Sequence, residues 1–324
     1  MNGTFIQETP TRGRSAATSF ERRETAVSRS DRSTINAKTL SDLYDAFVTG
    51  NTERAVRYVT PDLILHVPGR GWNAGEYWGV EGFRKFMSNI AAYNGGLFDM
   101  RVPAFSVTGD DGFTREVLRI NRKHDPEREF VLKITNQFKL RDGKLSELWV
   151  IPEDQHAYDE YYALSNDAKI SAKPKEFHHR QRLLDIEHAT SPENAQLLTG
   201  MYDEFWRGNK NAMSSLIAGD VVVTITGHSA MSGEYHGWDG YMKFRDKLMA
   251  MAGTKYKLDV IALAASERDA WATEYIRMNR RWDESVQAIY VVMHFEIENG
   301  KITRMDDFPV NPYVWEQFYT PSSR

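Results

Sequence analysis

Gly75-Glu76-Tyr77-Trp78-Gly79 recurs 158 positions later as Gly233-Glu234-Tyr235-His236-Gly237. At the same offset upstream, Tyr44-Asp45-Ala46-Phe47 meets Tyr202-Asp203-Glu204-Phe205, Gly50-Asn51 meets Gly208-Asn209, and Asp62 meets Asp220. Downstream, Arg119-Ile120-Asn121-Arg122 meets Arg277-Met278-Asn279-Arg280. Across the 82 positions 44–125, 24 are identical without a gap; unrelated sequence of average composition would give about five. After a one-residue deletion, Asp142-Gly143-Lys144 meets Asn299-Gly300-Lys301 and Pro152 meets Pro309. Self-similarity on this scale is a duplication. It predicts two similar domains, at residues 39–162 and 192–320.

The stretches outside the repeat read differently. Residues 1–38 hold few large apolar side chains and many Ser, Thr and Arg, too little apolar surface to offset the entropy of ordering, so a disordered leader is expected. Residues 163–191, with Lys173-Pro174-Lys175 and His178-His179-Arg180, read as a linker with a short helix at 181–187.

Composition narrows the function classes. Of 324 residues, 41% are hydrophobic and 27% charged, enough for ordinary cores. Lys plus Arg number 41 against 45 acids, a formal charge of −4, which argues against a nucleic-acid binder. The absence of cysteine removes disulfides, thiolate nucleophiles and iron–sulfur clusters. No apolar run reaches the roughly 20 residues of a membrane helix, and no signal-like stretch opens the chain, so a cytoplasmic protein without membrane attachment is expected. There is no Gly-rich phosphate loop, nucleophile elbow or zincin motif, and His178-His179 lacks a partner at metal-ligand spacing. Neither a cofactor nor a metal is expected.

Each repeat carries the same element pattern. An amphipathic helix (Leu40, Leu43, Tyr44, Phe47; Leu197, Leu198, Met201, Phe205) ends at Gly-Asn. A short helix, a strand (63–67; 221–225), a Gly-rich connection and a third helix follow. Four alternating runs come next, in the first repeat at about 97–108, 112–123, 128–141 and 144–151, the last two joined by an Asp-Gly turn. An aromatic-rich helix closes each copy. Helices first and a strand meander afterwards is an α+β layout.

This order resembles the nuclear transport factor two-like cone fold, which includes the SnoaL-like and ketosteroid-isomerase-like proteins. His66-Val67-Pro68-Gly69-Arg70, Gly75-Glu76-Tyr77-Trp78-Gly79, Asp142-Gly143-Lys144 and the ending Pro152-Glu153-Asp154-Gln155-His156-Ala157-Tyr158-Asp159-Glu160-Tyr161 are similar to the bacterial SnoaL-like group. The resemblance implies two tandem cone-shaped α+β barrel domains, each a curved sheet wrapped around helices with a cavity between them. It also implies pairing through the convex sheet faces. In a duplicated chain, that gives an intramolecular pseudo-dimer whose polar rows Arg119/Asn121 and Arg277/Asn279 meet, with room for further self-association.

Strand parity selects the residues that reach such a cavity. Glu116 and Glu274 share the more apolar face of their strands in both copies, where desolvation would tune a carboxyl for acid–base work. Asn136 interrupts an apolar row and would serve as an oxyanion donor; its counterpart is Met293. By resemblance, His66 stands near the general-base position of ketosteroid isomerases, and copy two has Thr224 there. On the last strand, Asp306 replaces Trp149 beside Asp307, and either Asp resembles the base of SnoaL-like cyclases, since one register slip exchanges the faces. Tyr44 and Tyr202 sit where relatives place a phenol against a substrate oxygen. Trp72, Trp78, Trp149, His228 and His236 would contact substrate or shape the mouth.

The leading expectation is a cofactor-independent isomerase, cyclase or dehydratase acting on an apolar carbonyl-bearing small molecule, polyketide-like or polycyclic. A non-catalytic ligand-binding or scaffold protein is the alternative. An epoxide hydrolase is a minor third reading that no residue set here identifies.

Overall fold

The computed structural model describes residues 28–163, 184–280 and 286–320. Residues 1–27 of the expected leader, and His178 and His179 of the expected linker, lie outside the described residues.

The first domain opens with α1 (Arg29–Val48), which starts ten residues before the expected boundary. Its start is signalled by Ser28, whose side chain caps the Asp31 amide at 3.1 Å and bonds the Asp31 carboxylate at 2.7 Å. The added turns are buried through small polar residues, which an apolar-periodicity reading passes over. Asn36 Nδ2 donates to the Gly109 carbonyl, and the Gly109 amide donates to Ser33 Oγ, both at 2.8 Å. Then come α2 (Thr52–Ala55), β1 (Val59–Val67), β2 (Gly75–Trp78), α3 (Gly79–Tyr93), β3 (Asn94–Thr108), β4 (Asp111–Arg122), β5 (Asp125–Arg141), β6 (Lys144–Pro152) and α4 (Gln155–Tyr161). The second domain repeats the order as α5 (Pro192–Arg207), α6 (Lys210–Leu216), β7 (Ile217–Ile225), β8 (Gly233–His236), α7 (Gly237–Met251), β9 (Ala252–Ala265), β10 (Asp269–Arg280), β11 (Val286–Glu298), β12 (Lys301–Pro309) and α8 (Pro312–Tyr319).

Each domain folds around its own six-stranded sheet, in the orders β2-β1-β6-β5-β4-β3 and β8-β7-β12-β11-β10-β9. Among the described residues, only the β1–β6 and β7–β12 pairs are parallel. Neither sheet closes on itself, so the cones are open. The Gly75 and Gly233 segments, expected as connections, are short edge strands paired to β1 and β7. The β5–β6 and β11–β12 turns place Asp142-Gly143 and Asn299-Gly300 at φ 53°, 71° and 51°, 71°, the left-handed pair that a two-residue hairpin requires.

One irregularity in this duplicated frame redirects the site. Lys139 pairs with Glu147 but Leu140 with Leu145, so Ser146 is an extra residue on β6. In the second sheet Glu296 pairs with Arg304 but Ile297 with Ile302, leaving Thr303 extra on β12. Such a bulge exchanges the faces of every residue beyond it. Leu145 and Ile302 point inward, yet Glu147, Trp149, Arg304, Asp306 and Phe308 point out, while Leu148, Val150, Met305 and Asp307 point in.

The outer faces of the two sheets pack on each other through Ala104, Phe113, Ile151, Ala262, Ala264, Trp271, Val292 and Phe308, all buried. Phe113 and Trp271 occupy equivalent positions of the repeat and stack at 5.6 Å with an interplanar angle of 2°. His156 and Tyr313, also equivalent, meet at 5.3 Å. Contacts between equivalent residues mark a pseudo-two-fold axis, the intramolecular form of an isologous interface. The expected polar rows are not what meets there. Arg119 pairs with Glu129 at 2.8 Å, and Arg277 lies near Asp259, each within its own domain. Asn121 accepts from the Leu97 amide. The centre of the interface is apolar because the rows nearest the axis carry Phe, Trp, Ile and Ala.

The described part of the linker lies along this body. Residues 184–187 form no helix. Instead Leu184 and Ala189 are buried against the first domain, and the Val107 amide donates to the Ala189 carbonyl at 2.8 Å.

Candidate functional site

Between the inner sheet face and the helices of the first domain lies a hollow of about 100 Å³. Its wall is mostly apolar, with Phe47 from α1, Phe86 and Met87 from α3, and Leu118, Ile134 and Val150 from the sheet, and Asn94, Tyr158, Tyr161 and Tyr162 add polar atoms to it. Strand alternation puts these side chains inward together with Thr114, Glu116 and Asn136, which meet Tyr44 of α1.

Glu116 is the centre of that polar group. Asn136 Nδ2 donates to its Oε1 at 2.6 Å, and the Tyr44 hydroxyl donates a short hydrogen bond to the same oxygen. Tyr44 Oη also lies 2.7 Å from Thr114 Oγ1. Burial pushes the Glu116 carboxyl up, and the Tyr44 and Asn136 bonds restrain the rise, leaving its pKa at about 7. Burial and the neighbouring Glu116 charge hold the Tyr44 phenol well above its ordinary range, so it stays a donor. With Oε1 accepting from two donors, Oε2 is the oxygen left for proton exchange.

The second domain keeps part of this arrangement. Tyr202 Oη donates to Glu274 Oε1 at 2.6 Å, and burial again lifts the carboxyl to about 7, moderated by Tyr202. Ala272 and Met293 replace Thr114 and Asn136, so two polar partners are lost. Asp307, opposite Met293, replaces Val150 and faces the same interior. It is 4% exposed, and its Oδ1 has no hydrogen-bond partner among the described residues. Burial, then the charges of Glu274 and Asp306, raise its pKa well above the carboxylate range.

Several residues singled out in the sequence lie elsewhere. His66 alternates with the buried Leu65 and Val67, so it faces outward, stacked on Trp149 at 5.0 Å. Its Nε2 is 3.0 Å from Glu147 and its Nδ1 3.3 Å from Glu76; it does not reach the hollow. Trp149 is carried outward by the β6 bulge and packs at the domain interface. Asp306 is carried out by the β12 bulge into a buried interdomain ion cluster. Arg115 of the first domain approaches Asp306 at 3.2 Å, Arg304 at 2.8 Å, and the His294 ring at 3.5 Å. Burial alone would raise the Asp306 pKa, but His294, Arg304 and Arg115 outweigh it and hold it at about 2. An anion so firmly paired is a clamp between domains, not a base. Trp72 and Trp78 border a separate polar cleft of about 500 Å³ with Lys85 and Asn89; Trp78 is 60% exposed. His236 is exposed near Glu234, and His228 donates its amide to Glu316.

Sequence reasoning missed Arg115, Asp269 and His294, whose buried cluster depends on two sheets meeting. His294 Nε2 lies 2.7 Å from Asp269. Among the described residues no group of three or more potential metal ligands is placed to hold an ion, and no helix is long and apolar enough to cross a membrane.

Comparison with known proteins agrees with the repeat. The SnoaL-like domain model matches residues 40–148 and again residues 198–305. No curated protein matches the chain. Bal32a, from a soil-derived mobile gene cassette, is 20% identical, covering 40% of this chain and 98% of its own with a TM-score of 0.38. A Xanthomonas campestris protein of unknown function with a cystatin-like fold is 18% identical over 40% and 98%, TM-score 0.37. An NTF2-like protein of Burkholderia xenovorans LB400 is 13% identical over 40% and 98%, TM-score 0.36. With more than half of its length matched by one domain model used twice, the chain belongs to the SnoaL-like family as a tandem pair of such domains.

Proposed function

We propose that the first domain is a cofactor-independent acid–base catalyst in which Glu116 moves a proton to or from carbon beside a carbonyl group. The observation that carries this reading is the placement of Glu116, a carboxyl buried in a mostly apolar hollow with Tyr44 and Asn136 on one of its oxygens, where burial pushes its pKa up to about 7. Ionised, Glu116 would take the proton through Oε2; protonated, it would return it to another atom of the substrate. Tyr44 and Asn136 act on Glu116 as positioning residues, since both bond its Oε1. They share the carboxylate charge and keep it from pairing elsewhere.

The size of the hollow restricts the substrate. A dry void of about 150 Å³ accommodates benzene, and this one measures about 100 Å³. A small carbonyl compound fits the closed form. A polycyclic substrate requires Phe86 and Met87 of α3 to swing aside, which Met87 does readily through its flexible thioether chain.

The test is hydrogen exchange at carbon. The full chain is incubated in deuterated buffer with a panel of small ketones and enones, from acetone upward in size, and loss of α-proton signals is followed by proton NMR. Exchange that Glu116→Gln abolishes and His66→Ala leaves alone is the expected result. Binding of the same ketones without any exchange above the Glu116→Gln background would make the domain a ligand-binding module instead.

A further inference from the structure

The polar cleft between β2 and α3 of the first domain has a counterpart in the second, where the chain places one of its own side chains. At the repeat offset of 158, Trp72, Glu76, Tyr77, Trp78, Lys85 and Asn89 correspond to Ala230, Glu234, Tyr235, His236, Lys243 and Lys247. The frame is the same in both copies: the Tyr77 and Tyr235 hydroxyls donate to the carbonyls of Asn73 and Met231 at 2.7 and 2.9 Å. In the second domain the Lys247 ammonium donates a short hydrogen bond to the Ala230 carbonyl. It also lies 3.4 Å from the Tyr235 hydroxyl and 6.0 Å from the centre of that ring. Asn89 is too short to do all of this. Its Nδ2 reaches the Tyr77 hydroxyl at 3.3 Å, but no side-chain donor among the described residues reaches the Trp72 carbonyl. What remains is a cleft of about 500 Å³, lined by all six of the first-domain residues.

We infer that this cleft binds a small primary alkylammonium compound, its ammonium group standing where Lys247 places one in the second domain. Three N–H donors call for three acceptors. The Trp72 carbonyl is the first. The Asn89 amide oxygen, left over while its nitrogen serves Tyr77, is the second, and the Glu76 carboxylate on the cleft wall is the third. Trp78, 60% exposed on the same wall, presents an indole face to the cation and its alkyl chain, where the second domain has His236. Lys85 does not forbid a second cation, because its counterpart Lys243 coexists with Lys247. The cleft lies outside the Glu116 hollow, and the inference does not depend on proton transfer there.

The probe is n-butylammonium chloride, which reproduces the lysine side chain, with n-butanol as its neutral analogue. The full chain is titrated with each at constant ionic strength and followed by two-dimensional NMR. Saturable shift changes concentrated on β2 and α3 are expected for the ammonium, with n-butanol at least about tenfold weaker. Asn89→Lys, which gives the first domain the second domain's own occupant, should weaken the ammonium at least about tenfold. Trp78→Ala, a change at an exposed side chain, should weaken it about two- to fivefold and keeps the test open if Asn89→Lys does not fold. Equal affinity for n-butanol, undiminished binding by either folded variant, shift changes centred away from β2 and α3, or no saturable binding would each overturn the inference.

Discussion

Replacing Asp306 by Asn should loosen the contact between the domains, and the size of the effect follows from its surroundings. The carboxyl is 2% exposed and sits among Arg115, Arg304 and His294, so solvent screens it little. Its pKa drops from the ordinary 3.8 to about 2, a difference of about 1.8 units. At 1.36 kcal/mol per unit this is about 2 kcal/mol of stability held by the charge. Glu153 still holds Arg115 at 2.6 Å in the variant, which keeps the loss below the roughly 3–5 kcal/mol of a fully orphaned buried partner. The folded pKa lies below the unfolded one. The contribution is therefore complete above about pH 4 and disappears as pH falls through about 2. Urea unfolding of both proteins between pH 7 and pH 2, followed by tryptophan fluorescence, reads the difference directly. A gap of about 2 kcal/mol at pH 7 that closes on acidification is predicted. A gap under about 0.5 kcal/mol, or one that persists unchanged to pH 2, would refute the clamp.

Other perturbations have equally definite outcomes. Glu116→Gln should stabilise the protein above pH 7 by about 3 kcal/mol, since the folded pKa of about 7 exceeds the ordinary 4.5 and stability drains away as pH rises between them; the gain should vanish near pH 4 in denaturant titrations. Tyr44→Phe removes a bond that lowers the Glu116 pKa, so the pH profile of any carbon-exchange activity should move upward. Trp271→Ala, emptying a fully buried ring from the interface, should cost about 3–5 kcal/mol in chemical unfolding. His66→Ala removes only outward contacts with Glu76, Glu147 and Trp149 and should cost about 1 kcal/mol or less, measured the same way.

The duplication and the element order were legible because they rest on residue identity and on the periods of 3.6 and 2 that backbone geometry imposes. Glu116, Asn136 and Glu274 were legible for the same reason: the β4–β5 and β10–β11 ladders run without a slip at these positions. Asp306 and Trp149 were assigned to the wrong face because a bulge at Thr303 or Ser146 leaves no mark in hydrophobicity. Only the shared Ser/Thr, whose hydroxyls bond the facing carbonyls of Glu296 and Lys139, hints at it. The start of α1 was hidden because Ser33 and Asn36 bury themselves through hydrogen bonds rather than apolar area. His66 looked suited to catalysis by residue type and resemblance, but its neighbours Leu65 and Val67 own the inner face. The Arg115–Asp306–His294 cluster was invisible because its members lie up to 191 positions apart and meet only when the outer sheet faces do.

The claim on which the proton-transfer reading stands is that Glu116 is half-ionised near neutrality inside a mostly apolar wall. Carbon-13 labelling of glutamate side chains, with Glu116→Gln to assign the signal, allows its carboxyl to be titrated by NMR in the full chain. A midpoint near 7 is predicted, moving higher in Tyr44→Phe. A midpoint near 4.5, the value of a carboxyl in water, would contradict the account.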